Sequence, residues 1–288
     1  MKTWPAEELH RVWRVQLGIY QAFADICERN GLRYYAGFGS ALGAIRHGGF
    51  IPWDDDMDLC MPREDYETFL QLAPAQLPPE LELQHIGVTE GFVLPFAKIC
   101  DRRTTFIEET DTNRRYHSGI FVDLFAQDAA PDGEAERKKQ YRQCWRWARM
   151  CSLAEYGRAK LPEGLNPVIR LGARGACWML HGIFRLFHLT PAFFYRRYLR
   201  AARAYEGEKI RTWVSLGDMS VDPDYDPADV LYPTRPVPFE DIQIRVPGKT
   251  EEYLTILYGD FMTLPPEEKR WNHYPAVLKF AEDAEAKE

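Results

Sequence analysis

Apolar side chains recur at helical spacing near the start of the chain, at Leu9, Val12, Trp13, Leu17, Tyr20, Phe23 and Cys27. One face of a 3.6-residue repeat carries them, which predicts an amphipathic helix. Thr3 and Pro5 mark its start, since a proline at an early helical position gives up no intrahelical bond. Asn30-Gly31 ends it. The short aromatic run LRYYA (32–36), bounded by glycine, predicts a strand. Ser40 to His47 reads as a short helix, Asp56 to Met61 as a strand, and Arg63 to Ala73 as a helix. LELQHI (81–86), VLPFAKIC (93–100) and IFVDLF (120–125) read as further strands. The character changes after Asp132-Gly133. Residues 134–206 are rich in helix formers, arginine and aromatics. They predict two or three helices, broken near Pro162 to Pro167 and at Thr190-Pro191. FEDIQIRVP (239–247) alternates with period 2 and predicts one strand. KTEEYLTILYG (249–259) predicts a helix stopping at Gly259. The sum is an α/β or α+β chain with an inserted helical bundle.

Composition narrows the class. The 288 residues are 45% hydrophobic and 27% charged, with a net charge of -7, so a sizeable core is affordable and disorder is excluded as the main state. An acidic chain without a recognisable binding motif argues against nucleic acid as a partner. The six cysteines show neither CxxC nor zinc-ligand spacing, as expected of reduced thiols. MKTWPAEELHRVWR carries charges where a signal peptide needs an apolar run. No uncharged apolar stretch approaches the roughly 20 residues of a membrane span. A cytoplasmic protein, with at most peripheral membrane contact, is expected.

The densest chemistry is IPWDDDMDLCMP, in which Asp54, Asp55, Asp56 and Asp58 fall within five positions. Four like charges are costly together unless a cation neutralises them. On a strand Asp56 and Asp58 project from one face, about 7 Å apart, with Met57 and Leu59 on the other. Two such carboxylates can share Mg2+ or Mn2+, which prefer oxygen ligands. An EF-hand fails, since Leu59 stands where the loop needs glycine and Asp65 where it needs glutamate. The spacing leaves open whether Asp54 and Asp55 are ligands or supports.

Upstream, GFGSALGAIRHGG sets Gly37 and Gly39 between a strand and a helix opening at Ser40. Glycine lets backbone N–H groups approach a phosphate, and a helix N-terminus favours negative charge. It is not a Walker A loop, and its GxGxxxG spacing misses the dinucleotide fingerprint at Leu42. A third carboxylate is available in GIFVDLFAQD. There Asp123 stands within an apolar strand, where an unpartnered charge is expensive.

The run YAGFGSALGAIRHGGFIPWDDDMDLCM (35–61) resembles the signature of the LicD family, which is similar to the fukutin and fukutin-related proteins. FAKICDRRTTFIE, GIFVDLFAQDAAPD and YLTILYGDFMTLPPEEKRWNH look like later blocks of that family, so the resemblance covers about 1–132 and 229–275. It implies a nucleotidyltransferase-type mixed β-sheet core flanked by helices. The core would span 1–132, an arginine-rich helical region 133–228, and a segment completing the core 229–288. The resemblance further implies Mg2+-dependent transfer of a phospho-alcohol from a nucleotide diphosphate to a glycan hydroxyl or its lipid-linked precursor. Phosphocholine from CDP-choline, with release of CMP, is first among these. Asp56, Asp58 and Asp123 would be the catalytic and metal-holding carboxylates, and Gly39 and Ser40 the phosphate contacts. Arg46, His47, Lys98, Arg270 and His273 are candidate substrate-binding cations. A choline ammonium would want an aromatic cage, for which Tyr34, Tyr35, Trp53, Tyr116, Trp271 and Tyr274 lie near the motifs.

Residues 164–205 add a separate feature. They hold seven arginines and no acid, leaving -14 on the rest of the chain. A basic, aromatic, amphipathic segment suits an anionic membrane surface, or else faces acidic parts of its own protein. Two alternatives accompany the transferase reading: a nucleotidyltransferase donating the nucleoside monophosphate to a small molecule, and a non-enzymatic membrane-surface adaptor.

Overall fold

The computed structural model describes residues 3–108, 114–158, 164, 166–207, 209, 211–217, 223–270 and 272–282. Helix α1 (Ala6–Asn30) follows the predicted apolar stripe and buries Leu9, Val12, Ile19, Phe23, Ile26 and Cys27. Pro5 stands just outside it with extended backbone, and its carbonyl accepts the Leu9 N–H at 3.1 Å. Gly31 closes it in the left-handed conformation, which glycine adopts without steric cost.

A mixed, largely antiparallel sheet forms the centre. Its strands are β1 (Tyr35–Ala36), β2 (Asp58–Pro62), β3 (Leu81–Gln84), β4 (Ala97–Asp101) and β6 (Phe121–Ala129), in the order β1-β2-β6-β4-β3. Among the described residues only β2 and β6 run parallel. All nine residues of β6 are buried, as a central strand covered on both faces requires. One edge of β6 pairs with β4 over its first half and with β7 (Thr212–Ser215) near its end, and β8 (Tyr225–Pro227) follows β7. The sheet thus resumes at Thr212, within the stretch assigned to the arginine-rich region. Helix α1 and α3 (Arg63–Gln76) cover one sheet face. There Phe23 packs edge-on to Tyr34 at 5.0 Å and against Phe69 at 4.9 Å. Each such side chain contributes about 1.5–3 kcal/mol through burial. Arg63, at the start of α3, clamps Asp128 of β6 through two hydrogen bonds of 2.7 Å.

Three helices fill the middle of the chain: α4 (Glu134–Tyr156), α5 (Pro167–Leu186) and α6 (Pro191–Ala202). The break at Thr190-Pro191 falls where the sequence puts it, and Pro162 lies outside the described residues. Gln140 of α4 donates to the carbonyls of Ala129 and Ala202 at 3.0 and 2.9 Å, tying α4 and α6 to the end of β6.

The predicted strand 239–247 is instead a hairpin, β9 (Arg235–Phe239) and β10 (Ile242–Val246), turning at Glu240-Asp241. Glu240 takes φ 51°, unusual for its type. Its N–H donates to the Gly48 carbonyl at 2.8 Å and its carboxylate accepts the Phe50 N–H at 3.0 Å. These long-range bonds hold a turn that local sequence does not announce. Helix α8 (Thr250–Tyr258) stops at Gly259 as expected. The short strand β5 (Thr105–Ile107) pairs with β11 (Val277–Lys279).

Candidate active site

The acidic run leaves a turn at Ile51-Pro52-Trp53, where the Asp54 N–H donates to the Ile51 carbonyl at 2.9 Å. Three donors from or beside α1 then fix its path. Trp13 Nε1 donates to the Asp54 carbonyl, Gln16 Nε2 to the Asp55 carbonyl, and Trp4 Nε1 to the Asp55 carboxylate, each at 2.8 Å. Asp54, Asp56 and Asp58 are half-buried, while Asp55, Met57 and Leu59 are buried. The expected alternation therefore holds from Asp54, although ladder pairing begins only at Asp58.

The phase separates the four aspartates by role. Asp55 points inward, and besides Trp4 it accepts the His273 N–H at 2.9 Å to each oxygen. It is a structural anchor joining the acidic run to the C-terminal segment. Asp58 stands in register with Asp123 on the parallel pair β2/β6, and Lys98 on β4 is registered opposite Asp123. Strands lie about 4.8 Å apart, so these three side chains form a row on one sheet face. Lys98 Nζ is 2.9 Å from Asp123 Oδ1. His273 Nδ1 is 3.3 Å from Asp55 Oδ1 and 3.4 Å from Asp56 Oδ2.

Burial pushes the Asp54 carboxyl well above its ordinary range, reinforced by Asp56, Asp55 and Asp58. Asp56 is raised by burial, against which His273 pulls it down. Asp123 is pushed up to about 6 by burial, with Lys98 opposing. Burial lowers His273, but its bond to Asp55 and the charges of Asp56 and Asp55 win, at about 9. A Lys98 ammonium and a His273 imidazolium thus compensate Asp123 and Asp56.

The glycine-serine motif abuts this row. Helix α2 (Phe38–His47) begins two residues earlier than predicted, after Gly37. A Cβ at Gly39 would come 3.0 Å from Asp54 Oδ2, so the helix start and the acidic run touch. Ser40 is buried, and its hydroxyl oxygen accepts the Asp58 N–H at 2.9 Å, while the Gly37 N–H donates to the Asp58 carbonyl at 3.0 Å. These bonds lock the helix N-terminus to the strand carrying Asp58.

The remaining candidates divide. Lys98 and His273 lie on the carboxylates. Arg46 and His47 sit at the opposite end of α2, where the Arg46 Nη1 donates to the Phe261 carbonyl at 2.9 Å. Arg270 stacks over the Trp53 ring at 4.4 Å, and His47 meets that ring edge-on at 6.2 Å. Trp53 therefore links these two to the turn feeding the acidic run. For an aromatic cage, Tyr34 and Tyr35 are disqualified by burial in the core. Tyr116 packs on Phe92 and Tyr274 on Trp4, and Trp271 lies outside the described residues.

Tyr258, at the end of α8, escapes a motif-based reading. Its side chain is 44% exposed, yet its hydroxyl is pushed up by desolvation and by the charges of Asp58, Asp54 and Asp56, which lie within electrostatic range of it. The only sequence signal for it is its place inside YLTILYGD.

The donors suit a hard divalent cation in kind, since they are carboxylate oxygens crowded on one face. Among the described residues, however, no three His, Cys, Asp or Glu side chains converge on one point at ligating reach. A cation entering here would compete with Lys98 and His273 for the same oxygens.

Residues 31–147 match the family model described as LicD/FKTN/FKRP, nucleotidyltransferase domain. The chain is 29% identical over 264 residues to the lipopolysaccharide cholinephosphotransferase LicD of Haemophilus influenzae, covering 90% of this chain and 93% of that one. It is 41% identical over 131 residues to an uncharacterized protein of Rickettsia typhi, covering 44% and 39%. A 51-residue segment is 47% identical to human ribitol 5-phosphate transferase FKRP, covering 18% and 10%.

Proposed function

From the premise that the chain belongs to the LicD family through its residues 31–147, we propose that it transfers a phospho-alcohol to a glycan hydroxyl. The donor is a CDP-alcohol, CDP-choline first, and the acceptor a cell-surface glycan or its lipid-linked precursor. The observation that carries this reading is the register of Asp58 beside Asp123, on a strand that the Ser40 hydroxyl ties to a glycine-serine helix start. The relative similar over 90% of the chain is a cholinephosphotransferase by name, and the FKRP segment belongs to a ribitol 5-phosphate transferase.

Phosphoryl transfer demands positioning and charge neutralisation more than covalent chemistry from the protein. Asp56, Asp58 and Asp123 are the residues to hold Mg2+ or Mn2+, which when bound neutralises the diphosphate and the leaving phosphate. The acceptor oxygen forms a bond to the phosphorus bearing the alcohol. The bond from that phosphorus to the bridging oxygen breaks, and CMP leaves with it. The hydroxyl proton passes to a carboxylate, for which Asp123 is the candidate. Gly39 and Ser40 contact phosphate oxygens through the start of α2. Arg270 and Trp53 close the site from the acidic turn. Lys98 and His273 keep the carboxylates compensated when no cation is present.

Calorimetry with CDP-choline, CDP-ribitol, CDP-glycerol, GDP-mannose and NAD tests this, each with Mg2+, with EDTA and with Asp58→Ala. Metal-dependent binding of one CDP-alcohol, lost in the variant, is expected. Silence for every nucleotide with metal present overturns the reading. So does a glycan or small-molecule product that carries the nucleotide instead of the phospho-alcohol.

A further inference from the structure

Helix α5 distributes its side chains in reverse of a helix that serves a core. Leu171, Trp178, Met179, Ile183, Leu186 and Phe187, at its end, are all exposed, Trp178 by 72% and Leu171 by 70%. Phe184 alone among its residues is buried, against Phe194 at 4.9 Å. At 100° per residue the exposed apolar side chains sweep an arc of roughly 200°. The protein-facing seam is narrow. It holds Phe184, Cys177 and His181, whose Nδ1 lies 3.0 Å from the Leu153 carbonyl. The helix is well formed in its own right. Asn166 caps it by accepting the Val168 N–H at 2.9 Å, and Pro167 occupies its first turn.

Its charges are one-sided. Arg174 and Arg185 fall between the seam and the edge of the apolar arc that carries Trp178 and Leu171, while Arg170 shares the phase of the seam and is half-buried. No acid occurs anywhere in 164–205, and among the described residues none of these three arginines is in an ion pair. An apolar arc this wide, bordered by unpaired arginines, has the chemistry of the boundary between lipid headgroups and acyl chains. The helix is about 30 Å long, but no described helix is long and apolar enough to cross a membrane. Its fit is therefore in the plane of the surface. A second copy of the chain is the weaker occupant, because pairing α5 against α5 would bring arginines of like sign together.

We propose that α5 is an interfacial helix that docks the protein on an anionic lipid bilayer. The apolar arc enters the boundary region while Arg174 and Arg185 reach the headgroup phosphates. The inference stands apart from the transferase reading, because it is read without donor or acceptor.

The test is co-sedimentation of the full chain with vesicles of phosphatidylcholine alone and with added phosphatidylglycerol. Binding is expected only, or far better, with phosphatidylglycerol, and it should weaken as salt rises. Leu171→Glu with Leu186→Glu should lower binding at least about tenfold. Arg174→Gln with Arg185→Gln should remove the preference for phosphatidylglycerol while circular dichroism and melting stay unchanged. Brominated lipid should quench fluorescence in the parent chain and measurably less in Trp178→Phe. Failure of the folded chain to bind anionic vesicles overturns the proposal, as does binding indifferent to these substitutions. A dimer in sedimentation equilibrium that Leu171→Glu dissociates also overturns it, in favour of a second copy as the occupant.

Discussion

The carboxylate row and helix α5 break the ordinary distribution of residues in opposite senses. At the row, Asp123 and Lys98 are buried in the middle of an apolar sheet. On α5, tryptophan, leucine and phenylalanine face outward. Burying charge costs folding free energy that a neutral substitute would not, and an exposed apolar face leaves surface that another apolar phase would cover. The contrast with Arg63 and Asp128 shows what a structural charge looks like in this molecule. That pair is equally buried but mutually satisfied by two short bonds. Charge burial alone does not mark a site. Carboxylates of one sign crowded on one face do.

The largest expected effect tests that distinction directly. Asp58→Ala should lower transfer on the order of 10³-fold, as loss of a group stabilising transition-state charge does. The metal-free protein should melt no lower, because the substitution relieves repulsion among Asp54, Asp56 and Asp58. Arg63→Ala should behave in the opposite way. It strands a buried Asp128 and should cost about 3–5 kcal/mol of stability, measured by urea unfolding. Equal loss of stability in both variants would erase the distinction between the two kinds of buried charge.

How far the sequence reveals each region follows from the same physics. The acidic run is legible because alternation around Met57 and Leu59 fixes its phase locally, and Asp123 is legible because an aspartate inside an apolar strand needs a partner. The separate role of Asp55 is not legible. It depends on Trp4 and the His273 backbone, which lie 51 and 218 residues away in sequence. The hairpin at Glu240 was hidden for the same reason, since Gly48 and Phe50 hold the turn from a distant segment. The strands β7 and β8 are short and carry no period of their own. On α5 the sequence announces an amphipathic arginine helix, but only the packing decides which side faces out.

A smaller effect concerns pH. His273 has its pKa raised to about 9, above the ordinary value near 6.5. Its contribution to stability is therefore complete below about 6.5 and is lost as pH rises through about 9. Asp123, raised to about 6, costs stability progressively as pH rises toward that value. Metal-free protein should thus lose stability steadily on the alkaline side. His273→Gln should flatten the part of that fall between neutrality and pH 9, measured as denaturation midpoints across the range. An unchanged profile in the variant would mean that Lys98 alone compensates the row.

The smallest effect lies on α5, and its smallness is the point. Trp178→Ala removes the bulk of a large side chain, which in a core costs about 3–5 kcal/mol. At 72% exposure there is little packing to lose, so the change in stability should stay within about 0.5 kcal/mol. Phe184→Ala, six residues along on the buried seam, should cost about 3 kcal/mol because it empties the contact with Phe194. Chemical denaturation of the two variants side by side measures the difference. If Trp178→Ala destabilised the isolated protein as much as Phe184→Ala does, the outer face of α5 would be packed against protein in solution. The apolar arc would then be a covered surface, and the reversal between the two regions would disappear.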